Sequence, residues 1–153
     1  MPTRRPTAVV KRDQAPAPHV KTLETPKGAN YPAGRMLIAS PLVVADEVRS
    51  VPAGRVITLS ALRDRLARRF DADFTCPMTT GIFLRVAAEA ALEEGLSEML
   101  PVWRVVREDG ACLEKIAGGP RRQAEQLRAE GVDVAQRRTR FVVADLSRVK
   151  LPD

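Results

Sequence analysis

Few side chains in this 153-residue sequence could carry out covalent chemistry. His19 is the single histidine, and it stands among prolines near the amino terminus, where no rigid element is predicted to hold it. Cys76 and Cys112 are the two thiols, and neither has a histidine nearby in the sequence to activate it. We therefore predict no catalytic residues and interpret both cysteines as small core side chains.

The sequence also offers little to bind a metal or a cofactor. Two separated cysteines and one histidine fall short of the roughly four ligands of a structural zinc site. No phosphate-binding Walker loop is present, and no glycine-rich dinucleotide motif follows a predicted strand. Gly118 and Gly119 could offer backbone amides to a phosphate, although a tight turn before a helix that begins with proline explains them better. We predict neither a metal nor a cofactor.

Hydrophobic spacing predicts a small domain that is mainly α with short β segments. Ser40 and Thr58 are candidate helix caps, as is either Thr79 or Thr80. Helices are predicted at 42–49, 59–70, 79–93 and 121–130, and extended segments at 99–106 and 141–143. Two helices joined by a loop and followed by extended segments are typical of a winged helix-turn-helix domain.

Positive charge is concentrated at the amino terminus. The chain holds 25 Lys and Arg against 19 Asp and Glu, a net charge of +6, and seven basic and two acidic residues in 1–35 account for +5 of it. Six of the twelve prolines also lie there, and large apolar residues are scarce. We expect residues 1–35 to form a disordered basic arm and residues 36–153 to form the folded domain. The arm could track a polyanion such as nucleic acid, or could be a solubilising leader.

The sequence lacks the signals of export and membrane insertion. No segment approaches the roughly 18 apolar residues of a membrane-spanning helix. The first residues, 1–14, lack the apolar stretch of a secretory signal. We expect a cytoplasmic, monomeric protein with no membrane partner and with reduced thiols.

An ordered set of motifs in residues 41–132 resembles the DNA-binding domain of the O6-alkylguanine-DNA alkyltransferases. The motifs are Pro-Val-Trp-Arg-Val-Val at 101–106, a turn with Gly110, the pair Gly118–Gly119, and a helix that ends Leu-Arg-Ala-Glu-Gly-Val at 127–132. In that family the first motif reads Pro-Cys-His-Arg-Val-Val. Arg85 begins a partial match to the family's Arg-Ala-Val-Gly element, and it precedes Pro101 by 16 residues, in keeping with the family pattern.

Two departures from the family pattern bear on its reaction. Val102 stands at the position of the alkyl-accepting cysteine, and Trp103 at that of the histidine that helps to deprotonate it. Because alkyl transfer needs a thiolate, the resemblance implies a protein similar to the cysteine-less alkyltransferase-like proteins. Those proteins bind alkylated guanine flipped out of the duplex and flag it for other repair. They usually keep the histidine, and the connection between Leu62 and Arg85 is longer here than in the family.

The resemblance implies double-stranded DNA, including DNA that contains O6-alkylguanine, as the partner, with repair proteins as further partners. Its implied DNA-binding residues are Arg85, Thr79, Thr80 and Gly81, and Arg85 would fill the gap left by an extruded base. Its implied base-pocket residues are Pro101, Val102, Trp103, Gly118 and Gly119. Trp103 could line the pocket and stack on a base, or plug the pocket as a core residue.

Two other functions fit the same residues. A DNA-binding regulator could keep the helix-turn-helix and lack base flipping. A true alkyl acceptor could use Cys112 or Cys76 in place of the missing cysteine.

Overall fold

The computed structural model of the chain describes residues 7–152. Six α-helices, α1 to α6, span Ala8–Gln14, Pro41–Arg49, Leu59–Arg69, Pro77–Glu93, Gly119–Ala129 and Leu146–Val149. Seven strands, β1 to β7, span His19–Leu23, Gly34–Ile38, Ile57–Thr58, Phe74–Thr75, Val105–Val106, Val134–Arg137 and Arg140–Val143. The prediction of a mainly helical fold with short strands is confirmed.

Helices α2 and α3 begin where their caps were predicted. The Ser40 hydroxyl accepts a hydrogen bond from the Val43 amide at 3.3 Å, and the Thr58 hydroxyl accepts one from the Ala61 amide at 3.2 Å. Each hydroxyl satisfies one of the free N–H groups at a helix start, which is why these residue types are favoured there.

Helix α4 begins earlier than predicted, and the predicted cap at Thr79 or Thr80 is wrong. The helix starts at Pro77, with Cys76 as its N-cap residue and no side-chain cap. Proline has a fixed φ that suits the first helical turn, so Pro77 can set the start. The Thr80 hydroxyl instead donates to the Cys76 carbonyl at 2.7 Å, within the first turns of the helix.

The predicted extended segment at 99–106 is largely wrong as well. Two single turns of 3-10 helix occupy Ser97–Met99 and Val102–Arg104, and only Val105–Val106 form a strand, which pairs in parallel with β3. Pro101 separates the two turns, and its carbonyl accepts the Arg104 amide at 3.1 Å. Apolar composition alone does not distinguish a buried strand from such turns.

The expected disorder of residues 1–35 is also wrong over residues 7–35, while residues 1–6 lie outside the described part. Helix α1 packs on α4, and the Glu93 carboxylate accepts the amides of Ala8 and Val9 at 2.9 and 3.0 Å. Those hydrogen bonds hold the pKa of Glu93 below its usual value. The order of α1 comes from partners about 85 residues away, which local composition cannot reveal.

Strands β1, β2 and β4 form one small sheet. β1 pairs antiparallel with β2, and β2 pairs in parallel with β4. β4 immediately precedes α4, so this sheet joins the amino-terminal segment to the start of α4. The other two sheets are the pair β3–β5 and the antiparallel hairpin β6–β7.

The apolar interior falls into two main clusters. The first joins α2, α3 and α4 through side chains that include Leu37, Val44, Val48, Leu62 and Leu84. The second joins α5 to the β6–β7 hairpin through Val56, Trp103, Leu127 and Phe141 among others. The 101–106 segment runs between these clusters, because Val105 belongs to the first and Val106 to the second. No helix of residues 7–152 has the length and apolar character needed to cross a membrane.

Candidate nucleic-acid interface

A groove of about 530 Å³ lies along the amino-terminal half of α4. Met78, Ile82 and Arg85 form much of one wall. They are spaced by four and three residues, so they share one face of the helix. All three side chains are exposed, and Met78 is 65% exposed, which is unusual for a methionine in a helix that packs on a core.

The charge of this groove is predominantly positive. Arg85, Arg107 and Lys115 line it, and Glu114 is its single acidic residue. None of the three cations makes an ion pair with another of residues 7–152. Three exposed cations without ion-pair partners among the described residues lie here beside an apolar helix face. This combination suits a nucleic acid, because its backbone is anionic and the faces of its bases are apolar.

The groove contains two of the four residues implied as DNA contacts. Gly81 and Arg85 line it. Thr80 is only 1% exposed, so it cannot make the implied contact. The Thr79 hydroxyl is also buried and makes no hydrogen bond of good geometry among the described residues. Neither threonine lines the groove, and the Thr80 hydroxyl is bonded to the Cys76 carbonyl.

Three of the five residues implied for the base pocket line one smaller cavity. Val102, Trp103 and Gly118 are among the residues that line a cavity of about 120 Å³ between α4 and α5. Pro101 is buried, and Gly119 begins α5. Cavities of about 150 Å³ admit a benzene molecule, so this space is too small for a purine. Ala88 lines the cavity one helical turn after Leu84, which lines the groove, so the two spaces follow one another along α4.

Trp103 both borders this cavity and fills the second core cluster. Its side chain is 7% exposed and packs among Val56, Leu127 and their neighbours. The indole N–H donates to the Glu130 carboxylate at 2.9 Å. The Arg104 guanidinium stands 5.5 Å from the centre of the indole ring. The two interpretations of Trp103 thus describe different faces of the same side chain.

Glu130 gathers the residues around Trp103 through its carboxylate. It accepts hydrogen bonds from Arg104 at 2.6 and 3.1 Å and from the Gly54 amide at 3.2 Å. Burial alone would raise the pKa of Glu130, but the hydrogen bonds from Arg104 and Trp103 outweigh it and lower the pKa. Arg104 also donates to the Val51 carbonyl at 2.6 Å, so its role here is structural.

Gln123 fixes the backbone of the same segment from α5. Its amide nitrogen donates to the carbonyls of Trp103 and Val105 at 3.0 and 2.7 Å. Its carbonyl oxygen accepts the Leu113 amide at 2.8 Å. Gln123 is 1% exposed, and each of its bonds satisfies a backbone group that would otherwise be buried without a partner.

The family assignment now follows from the sequence of this region. The pattern of the family described as 6-O-methylguanine DNA methyltransferase, DNA binding domain, matches residues 42–132. The chain belongs to this family. The match includes α4, the 101–106 segment and α5, and it therefore covers both the groove and the cavity.

Two solved structures share the fold of this methyltransferase-family domain. One is S. pombe Atl1 in complex with damaged DNA containing O6-carboxymethylguanine, with a TM-score of 0.52 and 22% identity. The other is S. pombe ATL in complex with DNA, with a TM-score of 0.51 and 21% identity. Each comparison covers 74% of this chain and 94% of the other chain. No curated protein sequence matches the chain.

The two thiols of this family member lie in different surroundings. Cys112 is 4% exposed, and burial raises its pKa to about 11, so the thiol is protonated at neutral pH. Burial would also raise the pKa of Cys76, but hydrogen bonds from the Thr79 backbone amide and the Tyr31 hydroxyl lower it. The Tyr31 hydroxyl covers Cys76 at 3.8 Å from its sulfur. Within residues 7–152, no group of three His, Cys, Asp or Glu side chains could hold a metal ion.

Sequence reasoning missed several residues of this interface. The helical spacing of Met78 and Ile82 relative to Arg85 was a usable signal for the groove wall. Gln123 also had a usable sequence signal, because it lies four residues before Leu127 on the buried face of α5. Arg107 and Lys115 lie in loops, where no periodic pattern marks them.

The Glu130 cluster generates a prediction about stability. Glu130→Gln removes the charge that compensates Arg104, and we expect a loss of about 2–3 kcal/mol in unfolding free energy at pH 7, somewhat less than for a fully buried pair. The pKa of Glu130 is lowered in the folded state, so the stability that its ionised carboxylate contributes is complete above pH 4.5. This stability is lost as the pH falls from there through the lowered pKa. The difference in unfolding free energy between wild type and variant, measured with urea across this pH range, should therefore become smaller in acid.

Glu125→Gln is the matched control for this prediction. Glu125 is exposed on the same helix and makes no ion pair among the described residues. Its replacement should leave unfolding nearly unchanged at every pH. A Glu130→Gln variant as stable as this control at pH 7 would contradict the central place of the carboxylate.

Proposed function

We propose that the protein binds double-stranded DNA and recognises alkylated or otherwise modified bases without accepting the alkyl group itself. The observation that carries this proposal is Arg85, an exposed and unpaired guanidinium on α4 at the edge of the groove. It lies within the part of the chain that matches the DNA-binding domain of the methyltransferase family. The complex of S. pombe Atl1 with damaged DNA, in a similar fold, supports the same partner.

In this proposal α4 is the helix that enters a groove of the DNA. Met78 and Ile82 would contact the apolar edges of bases, as a thymine methyl group allows. Arg107 and Lys115 would neutralise backbone phosphates on one side of α4. The shorter helix α3 precedes α4 and would cross the backbone, as the first helix of a helix-turn-helix does.

The β6–β7 hairpin is the proposed wing. Thr139 and Arg140 share a pocket of about 170 Å³ with Arg107 and Glu114, two residues that also line the groove. The hairpin is therefore close to the groove through Arg107. Exposed arginines at 137 and 138 extend its positive charge. This placement supports a winged helix-turn-helix with β6–β7 beside α4.

The proposed recognition step extrudes a base into the cavity bordered by Val102, Trp103 and Gly118. Arg85 would occupy the vacated place in the stack. Extrusion costs a few kcal/mol, and stacking on an indole returns about 1–3 kcal/mol. The cavity of about 120 Å³ has to widen for a purine to enter. Gly118 lies on its edge, directly before α5, with φ of +87°, so the widening would involve the loop that precedes α5.

The proposed role ends with recognition because the site has no nucleophile. Val102 and Trp103 provide no thiol where the family has its cysteine and histidine. Cys112 is buried with a raised pKa, and Cys76 lies beneath Tyr31. A bound and extruded base would then serve as a signal to other repair proteins.

A second candidate function is that of a DNA-binding regulator that does not flip bases. The size of the cavity favours it, because no purine fits without a rearrangement. The two functions share the groove and differ in whether Arg85 enters the base stack.

A base-extrusion assay tests the role of Arg85. The probe is a duplex with 2-aminopurine beside O6-methylguanine, whose fluorescence rises when the neighbouring base leaves the stack. We expect Arg85→Ala to abolish this rise, because nothing then fills the gap. Affinity for unmodified duplex should fall only about threefold at moderate salt, as for the loss of one cationic contact.

Arg68→Ala is the control for charge alone. Arg68 is an exposed arginine on α3 that does not line the groove. This variant should keep the fluorescence rise. An unchanged rise in Arg85→Ala would remove Arg85 from the proposed role, and no rise in the wild type would favour the regulator.

Intact-mass spectrometry tests the absence of alkyl transfer. After incubation with excess O6-methylguanine duplex, we expect no methyl group on the protein, because neither thiol is both exposed and ionised. Labelling of both cysteines with a thiol reagent in denaturant provides the positive control. A methyl group that appears in wild type and disappears in Cys76→Ser or Cys112→Ser would establish an acceptor and overturn the non-catalytic role.

A further inference from the structure

The loop between β1 and β2, residues 24–33, is a compact turn that precedes the family-matched part of the chain. The Lys27 amide donates to the Tyr31 carbonyl at 2.8 Å, and the Tyr31 amide donates to the Gly28 carbonyl at 3.2 Å. Gly28 adopts φ of +98°, which a residue with a side chain would rarely adopt. The turn therefore holds Lys27 in a defined position.

Tyr31 joins this turn to the start of α4. Its ring packs with the buried cluster of Leu23, Met36 and Cys76, and its hydroxyl lies 3.8 Å from the sulfur of Cys76, the N-cap residue of α4. The contact with Cys76 raises the pKa of Tyr31. Met78, two residues after Cys76, lines the groove, so Tyr31 lies at the end of α4 that carries Met78.

Lys27 is the cation of this turn, which also contains the exposed Glu24, and it forms no ion pair among residues 7–152. The two arginines of the same segment are paired, Arg12 with Asp13 and Glu94 and Arg35 with Asp71. Lys27 is exposed and has no acidic partner among residues 7–152. Its charge is thus available to an anion outside the protein.

We infer that residues 24–33 form a second DNA contact, in which Lys27 binds a backbone phosphate beyond the amino terminus of α4. The β6–β7 hairpin shares a pocket with Arg107, whereas the turn contacts Cys76 at the start of α4, so the two lie against different parts of the proposed interface. The inference rests on the proposed DNA binding and extends it to a part of the chain outside the family match. A phosphate contact positions the protein without selecting a sequence.

The dependence of affinity on salt tests this contact. Each phosphate neutralised contributes a slope of about −0.9 to log affinity against log salt. We expect Lys27→Ala to flatten the slope by about that amount, so that between 50 and 200 mM salt the variant loses about threefold less affinity than wild type. The loss should be equal for modified and unmodified duplex.

Lys11→Ala is the matched control. Lys11 is an exposed lysine of the same segment, but it lies on α1 near Glu93, at the far end of α4. A 17-residue helix is about 25 Å long, so Lys11 is remote from the proposed contact. Its removal should leave the slope nearly as in wild type.

A neutral methylphosphonate, moved one position at a time along the duplex, locates the phosphate. At one position flanking the α4 site, the substitution should weaken wild type about threefold and leave Lys27→Ala unchanged. Equal slopes for Lys27→Ala and Lys11→Ala, with Arg85→Ala still losing base extrusion, would overturn this contact alone. Failure of wild type to bind any duplex would overturn the proposed function as well.

Discussion

The Glu130 carboxylate is the interaction on which the candidate site depends. It accepts the Trp103 indole N–H, the Arg104 guanidinium and the Gly54 amide, and so ties the end of α5 to the 101–106 segment and to the turn before β3. Gln123 adds two hydrogen bonds to carbonyls of the same segment. Because a 3-10 turn has few internal hydrogen bonds, this segment needs such external partners to keep Val102 and Trp103 at the cavity. A buried charge without its partner is costly, so the loss of one member of the cluster destabilises the rest.

Helix α4 serves the core and the proposed interface with different faces. Ala87 and Ala91 pack in the first core cluster, while Met78, Ile82 and Arg85 face the groove. The amino-terminal segment holds this helix at both ends, through Glu93 at α1 and through Cys76 at Tyr31. A helix that is fixed at both ends can present exposed side chains to DNA at low entropic cost, which suits a domain with little overall charge of its own.

The residues differ in how far their placement could be predicted from sequence. Helices α2 and α3 were predictable because their signals are local, namely a cap and an apolar stripe at Leu62 and Leu66. The placement of Arg85 followed from its family-like spacing to Pro101. The order of residues 7–35 was not predictable from composition, because α1 depends on the distant Glu93 and β1 pairs with β2, which is itself paired with the distant β4. Thr80 was misplaced because Pro77 starts α4 one turn early.

Titration of Trp103 fluorescence with two duplexes of identical sequence, one carrying O6-methylguanine, tests the central claim most directly. Trp103 is the single tryptophan of the chain, and its indole borders the cavity that has to widen when a base enters. Recognition of the modified base predicts a larger fluorescence change and a higher affinity with the O6-methylguanine duplex. Equal changes and equal affinities with both duplexes would contradict recognition of modified bases and leave a protein that binds DNA without regard to damage.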